Sequence, residues 1–182
     1  AAIANLKNAT EAAKLLGIAA DPDWMNVANN IPILKMPDGV TQEHATYKGE
    51  GIKQADVNLL SYPLKHFTES AQVRKDLEYY ETRVPDEGTP AMTQGIFTLL
   101  YARLGDKAKA WHWFQDAYLP NLNPPFRVLA ETKGGTNPYF ATGAGGVLQG
   151  VFEQRQCFFK GGGMFNRKII ASVLLFNYLE GA

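Results

Sequence analysis

Lys53 and Gln54 are adjacent in the stretch Ile52 to Tyr62, and Asp56 follows two positions later. A lysine ammonium donates hydrogen bonds, and a glutamine amide both donates and accepts them. The pair can therefore bind the vicinal hydroxyls of a sugar, and Asp56 is well placed to orient Lys53. Without further information, the same letters also describe an ordinary helix surface. On the residues alone, a solvated helix face is the more common reading of this pattern.

A second group of polar residues occupies the stretch from Pro120 to Gly146, which is rich in Pro, Asn, Gly and Thr. Loops of this length without regular structure are uncommon and are often functional. Tyr139 lies in this stretch, and we expect it in a cleft because a tyrosine ring can stack on a sugar face. Aromatic residues at helical spacing are expected in the core instead, and they are Trp111, Trp113, Tyr79 and Tyr80.

The composition of the chain limits the classes of molecule that it is expected to bind. Lys plus Arg equals Asp plus Glu at 18 each, so the chain has no overall field that would attract nucleic acid or an anionic membrane. One cysteine and three scattered histidines predict neither a disulfide nor a metal site, and no cofactor is expected. Gly143, Gly145 and Gly146 lack the lysine of a phosphate loop. A neutral sugar is therefore a better candidate ligand than a nucleic acid, a nucleotide or an anionic membrane.

The apolar pattern predicts a mainly α fold. Helices are expected at Ala2–Leu16, after the Asp21-Pro22 cap, after a cap at Thr68 or Ser70, at Pro90–Arg103 ending at Gly105, and after the Asp106 cap. A last helix is expected over 146–153, and the apolar stretch 168–179 is too short to cross a bilayer. Residues 31–51 suit an extended excursion, with a turn at Pro37-Asp38-Gly39. Glu81, Asp86 and Glu87 are expected to face solvent or cap helices.

Several segments carry a resemblance to a known family. In order, they are GEGIKQADVNLLSYPL (49–64), DLEYYETRVPDEGTPAMTQGIF (76–97), YARLGDKAKAWHWFQDA (101–117), NPPFRVLAET (123–132) and NPYFATGAGGVLQGV (137–151). The chain resembles glycoside hydrolase family 65, which holds acid trehalases, glucosyl-hydroxylysine glucosidases and disaccharide phosphorylases. The resemblance implies helical hairpins from an (α/α)6 barrel. It makes residues 1–152 the C-terminal half of that domain and 153–182 a divergent segment of unknown role.

The resemblance also implies roles. Family 65 enzymes invert the anomeric centre, so a hydrolase needs one carboxylic acid and one carboxylate base. Glu131 matches the general base of the hydrolytic members, although in isolation it reads as a solvated loop glutamate. Lys53 and Gln54 match the pair that contacts the sugar. The phosphorylases' serines and histidine are replaced here by Pro85 to Pro90 and Glu131 to Gly135, which favours hydrolysis.

The pattern departs from the family at the start, because the general acid of the family lies on a segment just before the helix matching Ala1 to Leu16. We therefore expect a fragment or processed chain of an α-glucoside hydrolase, inactive alone, with trehalose as the first substrate to test. Its partner would be the N-terminal remainder or a second copy, and its location extracellular or vacuolar. The alternative is a non-catalytic, secreted sugar-binding or defence protein on the same scaffold.

Overall fold

The computed structural model describes residues 1–85, 88–135 and 137–159. Within these residues the chain is mainly helical, which confirms the predicted fold class. The helices are α1 (Ala2–Leu15), α2 (Pro22–Asn30), a 3-10 helix (Val57–Leu60), α3 (Ser70–Glu81), α4 (Ala91–Arg103), α5 (Lys107–Tyr118), a 3-10 turn (Leu119–Asn121) and α6 (Ala141–Phe159). The predicted stretch 168–179 lies outside the described residues.

Helix boundaries follow the predicted signals in two places. The Asp21 carboxylate accepts from the Asp23 amide at 2.9 Å and starts α2. Asp106 accepts from the Lys109 amide at 3.1 Å and starts α5. Gly105, at a φ of 76°, makes the left-handed turn between α4 and α5. These short-range devices explain the helical hairpin formed by α4 and α5.

The start of α3 differs from the prediction of a Thr68 or Ser70 cap. Glu69 occupies the capping position in an extended conformation and makes no side-chain capping bond. Instead, its backbone carbonyl accepts from the Val73 amide at 3.0 Å, while Ser70 is already inside the helix. The prediction was wrong because a hydroxyl near a helix start does not by itself define which residue leaves the helical conformation.

Helix α4 is the centre of the fold. Every residue from Thr93 to Ala102 is buried, because α3, α5, α6 and the first 3-10 helix all pack around it. The backbones of α4 and α6 approach closely at Gly95, where an added Cβ would lie 3.0 Å from the carbonyl carbon of Gly146. Only a residue without a side chain permits that approach.

Glu81 ties three helices together and corrects the expectation of a solvent-facing or capping acid. Its side chain is only 13% exposed and accepts from Lys109 Nζ at 2.6 Å. The Tyr101 hydroxyl donates to it at 2.6 Å and the Trp113 indole at 3.2 Å. Tyr101 belongs to the buried core, and the partly buried Trp113 packs against it, as expected for an aromatic residue at helical spacing. Asp86 and Glu87, predicted in the same way, lie outside the described residues.

The predicted extended excursion is confirmed for residues 31–51, where Lys35 and Thr41 form an antiparallel bridge. Buried Asp76 of α3 fixes this segment by accepting from the Thr41 amide and from its hydroxyl, each at 2.8 Å. Tyr80, also on α3, donates to the Thr41 carbonyl at 2.7 Å. The excursion is thus attached to a rigid helix over its whole middle part.

The polar stretch after α5 contains a small hairpin of β1 (Leu122–Asn123) and β2 (Val128–Leu129), which pair antiparallel with Leu122 opposite Leu129. Helix α6 then begins at Ala141, before the predicted start at 146, and continues through Phe159. It therefore crosses the expected boundary at 152/153 as one continuous helix.

Candidate active site

The segment carrying Lys53 and Gln54 is anchored by buried residues on both sides of the pair. Ile52, Ala55 and Val57 are buried, at 8%, 4% and 5% exposure, whereas Lys53 and Gln54 are exposed. The Ile52 amide donates to the carbonyl of Arg83, two residues after the end of α3, at 2.9 Å. The buried anchors therefore present the lysine and the amide at the surface from a fixed backbone.

The backbone of Glu131 is also held in place by hydrogen bonds to neighbouring segments. It follows β2 and Ala130, which is fully buried and forms a bridge with Pro138. The Glu131 amide donates to the Asn137 carbonyl at 3.1 Å, and its own carbonyl accepts from the Ala91 amide at 2.8 Å. Both backbone polar groups of Glu131 are thus satisfied, which restricts where its side chain can start.

The first turn of α4 connects these two segments. While the Ala91 amide binds the Glu131 carbonyl, the Thr93 hydroxyl donates to the Lys53 carbonyl at 3.4 Å. As a result, Lys53 Nζ lies 3.8 Å from Glu131 Oε1. The structure brings together two residues that are distant in the sequence and that were both singled out there.

The two carboxylate oxygens of Glu131 have different neighbours. Oε2 accepts from Asn137 Nδ2 at 3.1 Å, while Oε1 faces Lys53 at a distance longer than a hydrogen bond. The Glu131 side chain is 26% exposed and that of Lys53 is 64% exposed. Asn137 was missed by sequence reasoning, although it lies in one of the family-like segments, because an Asn-Pro dipeptide is first of all a turn signal.

Gln54 and Tyr139 lie near the pair by position in the chain. Gln54 adjoins Lys53, and Tyr139 shares the loop of Glu131. The Tyr139 ring is 79% exposed and its backbone has a φ of 63°, an uncommon conformation for a non-glycine residue. The described polar contacts of the Glu131 carboxyl are with Lys53 and Asn137, and among the described residues no hydrogen bond from Gln54 or Tyr139 to it is recorded.

A hollow of about 590 Å³ opens beside Lys53. Its walls include Gly49, Gly51, Lys53, Arg83 and Pro85. The Arg83 guanidinium stacks on the Tyr79 ring, with its central carbon 3.3 Å from the ring centroid, and donates to the Tyr79 carbonyl. The space is large enough for a small sugar, and the lysine end of the Lys53–Glu131 pair borders it.

A second acid, missed in the sequence, lies beneath the Lys53 segment. Burial and, to a smaller extent, the adjacent Asp56 charge together raise the pKa of Glu43 to about 7. The Val57 amide faces the same carboxyl and acts in the opposite direction. No sequence pattern marks Glu43, because an acid in an extended segment reads as solvated.

In the part of the chain that the structure describes, no three His, Cys, Asp or Glu side chains are grouped as a metal ion would require. Over the same residues, no helix combines the length and apolar character needed to cross a bilayer.

Comparison with known proteins places this arrangement in a class of carbohydrate enzymes. The sequence model of the glycosyl hydrolase family 65 central catalytic domain matches residues 26–130. The chain belongs to glycoside hydrolase family 65, as its segments predicted, and its mainly helical architecture is that of part of an α/α barrel.

Individual relatives refine the comparison. A kojibiose hydrolase of Mucilaginibacter mallensis is 73% identical over 83% of this chain and 22% of its own length. A kojibiose hydrolase of Flavobacterium johnsoniae is 59% identical over 82% of this chain and 22% of its own. A periplasmic/secreted acid trehalase of Candida glabrata is 35% identical over 80% and 13%. The chain thus spans about a fifth of the length of these kojibiose hydrolases, 22% in each.

Proposed function

We propose that this chain forms the base-bearing wall of the active site of an inverting α-glucoside hydrolase, with Glu131 as general base. The observation that carries the proposal is the Lys53–Glu131 pair, 3.8 Å apart and attached to one helix start. A carboxylate acting on water must be held at a fixed angle to the sugar. The bonds of Ala91 and Asn137 to Glu131 supply that restraint.

The two oxygens of Glu131 suggest how the base works. Asn137 donates to Oε2 and restrains the carboxylate, and among the described residues no hydrogen bond to Oε1 is recorded, so we assign Oε1 the proton taken from water. The activated water then attacks the anomeric carbon from the face opposite the leaving oxygen, which inverts the configuration. Removal of the water proton in the transition state is the step for which we propose Glu131.

Sugar binding is assigned to the residues around the base. Lys53 and Gln54 donate hydrogen bonds to glucosyl hydroxyls, and the hollow beside Lys53 accommodates part of the substrate. Tyr139 is proposed as a stacking residue, because a 79% exposed ring in the Glu131 loop has a free face for a sugar.

Kojibiose takes the place of trehalose as the first substrate to test. The kojibiose hydrolases are 73% and 59% identical to this chain, whereas the acid trehalase is 35% identical. Trehalose remains the second candidate among α-glucosides.

The general acid is proposed to come from outside these 182 residues. The chain spans 22% of the kojibiose hydrolases' length, and an inverting hydrolase places its two carboxyl groups roughly 6.5–9.5 Å apart across the sugar. We accordingly propose residues 1–152 as the C-terminal half of the barrel domain, with 153–182 as a segment of divergent sequence and unknown role, and we expect the isolated chain to bind sugar without turnover.

The test is a segment exchange. The matching 151 residues of the Mucilaginibacter mallensis kojibiose hydrolase are replaced by those of this chain, and kojibiose hydrolysis is followed by NMR of the first anomer released. We expect an active chimera that inverts. Glu131→Gln in the chimera should lower kcat by roughly 10²- to 10⁴-fold, because the base is lost while the shape is kept.

The matched control is Glu78→Gln, an exposed acid of α3 whose partner is Arg74. It should leave kcat unchanged. An active chimera in which Glu131→Gln keeps wild-type kcat contradicts the base assignment. An active chimera that cleaves trehalose faster than kojibiose contradicts the substrate assignment alone.

A partner and a location are also proposed. Leu15, Leu16 and Ile18 at the end of α1 are 79%, 73% and 60% exposed, an apolar cluster that supports covering by the remainder of the enzyme or by a second copy. Light scattering of the purified chain should therefore detect self-association, and a compact monomer contradicts it. An extracellular or vacuolar location is proposed on the periplasmic/secreted trehalase relative.

A further inference from the structure

Glu43, which is partly buried, and Asp56, which is exposed, form a carboxyl pair next to the sugar-binding segment. Glu43 Oε2 is shut off from solvent and accepts no hydrogen bond. The Asp56 side chain lies against it, and Asp56 makes no capping bond to the 3-10 helix that it precedes. An ionised Glu43 would therefore leave a buried oxygen unsatisfied beside a second negative charge, which is costly.

The hydroxyls of two nearby tyrosines do not satisfy the buried Glu43 oxygen, because they already donate elsewhere. Tyr47 and Tyr80 are two titratable groups whose pKa values are influenced by the Glu43 charge. The Tyr47 hydroxyl already donates to the Glu50 carbonyl at 2.7 Å, and the Tyr80 hydroxyl to the Thr41 carbonyl at 2.7 Å. Burial raises the pKa of both tyrosines, so neither titrates near neutral pH. A hydrogen bond between Glu43 and Asp56 therefore uses a proton that one of these two carboxyl groups carries.

We propose that protonated Glu43 donates a hydrogen bond to the Asp56 carboxylate and thereby acts as a positioning residue for Lys53 and Gln54. The shared proton joins the excursion at Glu43 to the start of the 3-10 helix, directly after the sugar-binding pair. The Val57 amide faces the same Glu43 carboxyl, so two successive residues, Asp56 and Val57, lie next to one side chain. The positioning role in sugar binding rests on the proposed function, whereas the shared proton between Glu43 and Asp56 does not depend on it.

The pH dependence follows from the sign of the shift. The folded pKa of Glu43, about 7, exceeds its ordinary value of 4.5, so the folded state retains the proton longer than the unfolded state. The stabilisation is fully present below pH 4.5 and is lost as the pH rises through about 7. Glu43→Gln keeps an N–H donor toward Asp56 at every pH and an oxygen toward Val57.

The first measurement is thermal unfolding of the full chain from pH 4.5 to 8. We expect the Tm of Glu43→Gln to rise steadily relative to wild type between pH 4.5 and 7.5. Glu78→Gln, on the exposed side of α3, should remain parallel to wild type. Parallel curves for Glu43→Gln overturn the shared proton. If Glu43→Gln fails to fold, Asp56→Asn is measured in its place. The decrease of Tm with rising pH should then occur at a lower pH in Asp56→Asn than in wild type. A decrease at the same pH in both chains overturns the proposal.

The second measurement tests positioning through the dissociation constant of kojibiose at pH 6 and pH 8. With a Glu43 pKa of about 7, the protonated fraction falls from about nine-tenths to about one-tenth over this range. The wild-type dissociation constant should rise by up to about tenfold, and that of Glu43→Gln by less than about twofold. Equal rises in both chains overturn the positioning role.

The unfolding and binding measurements together separate this inference from the proposed function. If neither chain binds kojibiose at either pH, the sugar site and the positioning role both fail. Divergent unfolding curves would in that case still assign the shared proton to Glu43 and Asp56.

Discussion

Lys53 Nζ lies 3.8 Å from Glu131 Oε1, and neither segment reaches this position by itself. Each depends on the first turn of α4, where Ala91 and Thr93 bind the two backbones. The start of a helix that is buried from Thr93 to Ala102 is a suitable support for a pair that has to meet a substrate at fixed geometry.

Lys53→Met should weaken sugar binding. A charged donor to a neutral hydroxyl contributes about 1.5–3 kcal/mol, so the dissociation constant or KM for the α-glucoside should rise by roughly 10- to 100-fold. Isothermal titration of kojibiose into the chain, or KM in the segment-exchanged enzyme, measures this. Lys14→Met, on exposed α1, serves as the control. Equal affinity of Lys53→Met and wild type would exclude Lys53 from the sugar site.

Glu81→Gln should destabilise the chain by about 1–3 kcal/mol, because an amide group would face the Lys109 and Tyr101 donors in place of a carboxylate. Urea unfolding monitored by the Trp113 fluorescence reports the change, since that indole donates to Glu81. Glu78→Gln removes only an exposed pair with Arg74 and should cost below about 0.5 kcal/mol. Similar losses in both variants would show that the Glu81 cluster adds little.

Gly95→Ala should cost about 1–3 kcal/mol, since its Cβ would lie 3.0 Å from the Gly146 carbonyl carbon and separate α4 from α6. Gly145→Ala, one residue before Gly146 on α6, meets nothing within 4 Å. It should stabilise the helix by up to about 1 kcal/mol. Thermal unfolding of the two alanine variants side by side gives the comparison, and stabilisation by both would disprove the close approach.

Asp76→Ala should cost about 2–4 kcal/mol, because Thr41, which is 1% exposed, would be left with an unsatisfied amide and hydroxyl. The extended excursion should then become more sensitive to protease than the helices. Limited proteolysis with mass spectrometry locates the cuts. Asp23→Ala on exposed α2 should cost less than about 1 kcal/mol. Cuts that stay outside 31–51 in Asp76→Ala would contradict this attachment.

Local signals predicted most of the helical framework. Asp21-Pro22 and Gly105-Asp106 act within a single turn of helix, so their effect is visible in a short stretch of sequence. The start of α3 was predicted wrongly because two hydroxyl residues compete there and neither forms the cap. The two-residue strands β1 and β2 are too short to show any alternation in the sequence.

The candidate site was less accessible to such reasoning. Lys53, Gln54 and Glu131 came from resemblance to the family, and their roles remain predictions that the contact between Lys53 and Glu131 supports. Glu43 could not be found from the sequence, because its pKa depends on Asp56 and on burial by residues far along the chain. Ionic neighbours of this kind follow from tertiary packing, which no local pattern encodes.

The packing of α1 has a consequence for how the chain opens. Helix α1 contacts chiefly α2, while α4 is enclosed by α3, α5 and α6. Opening of the first two helices therefore exposes far less apolar area than opening of α4, so their amide protons should exchange with deuterated water through a local fluctuation. Those of α4 should exchange only when the whole chain unfolds.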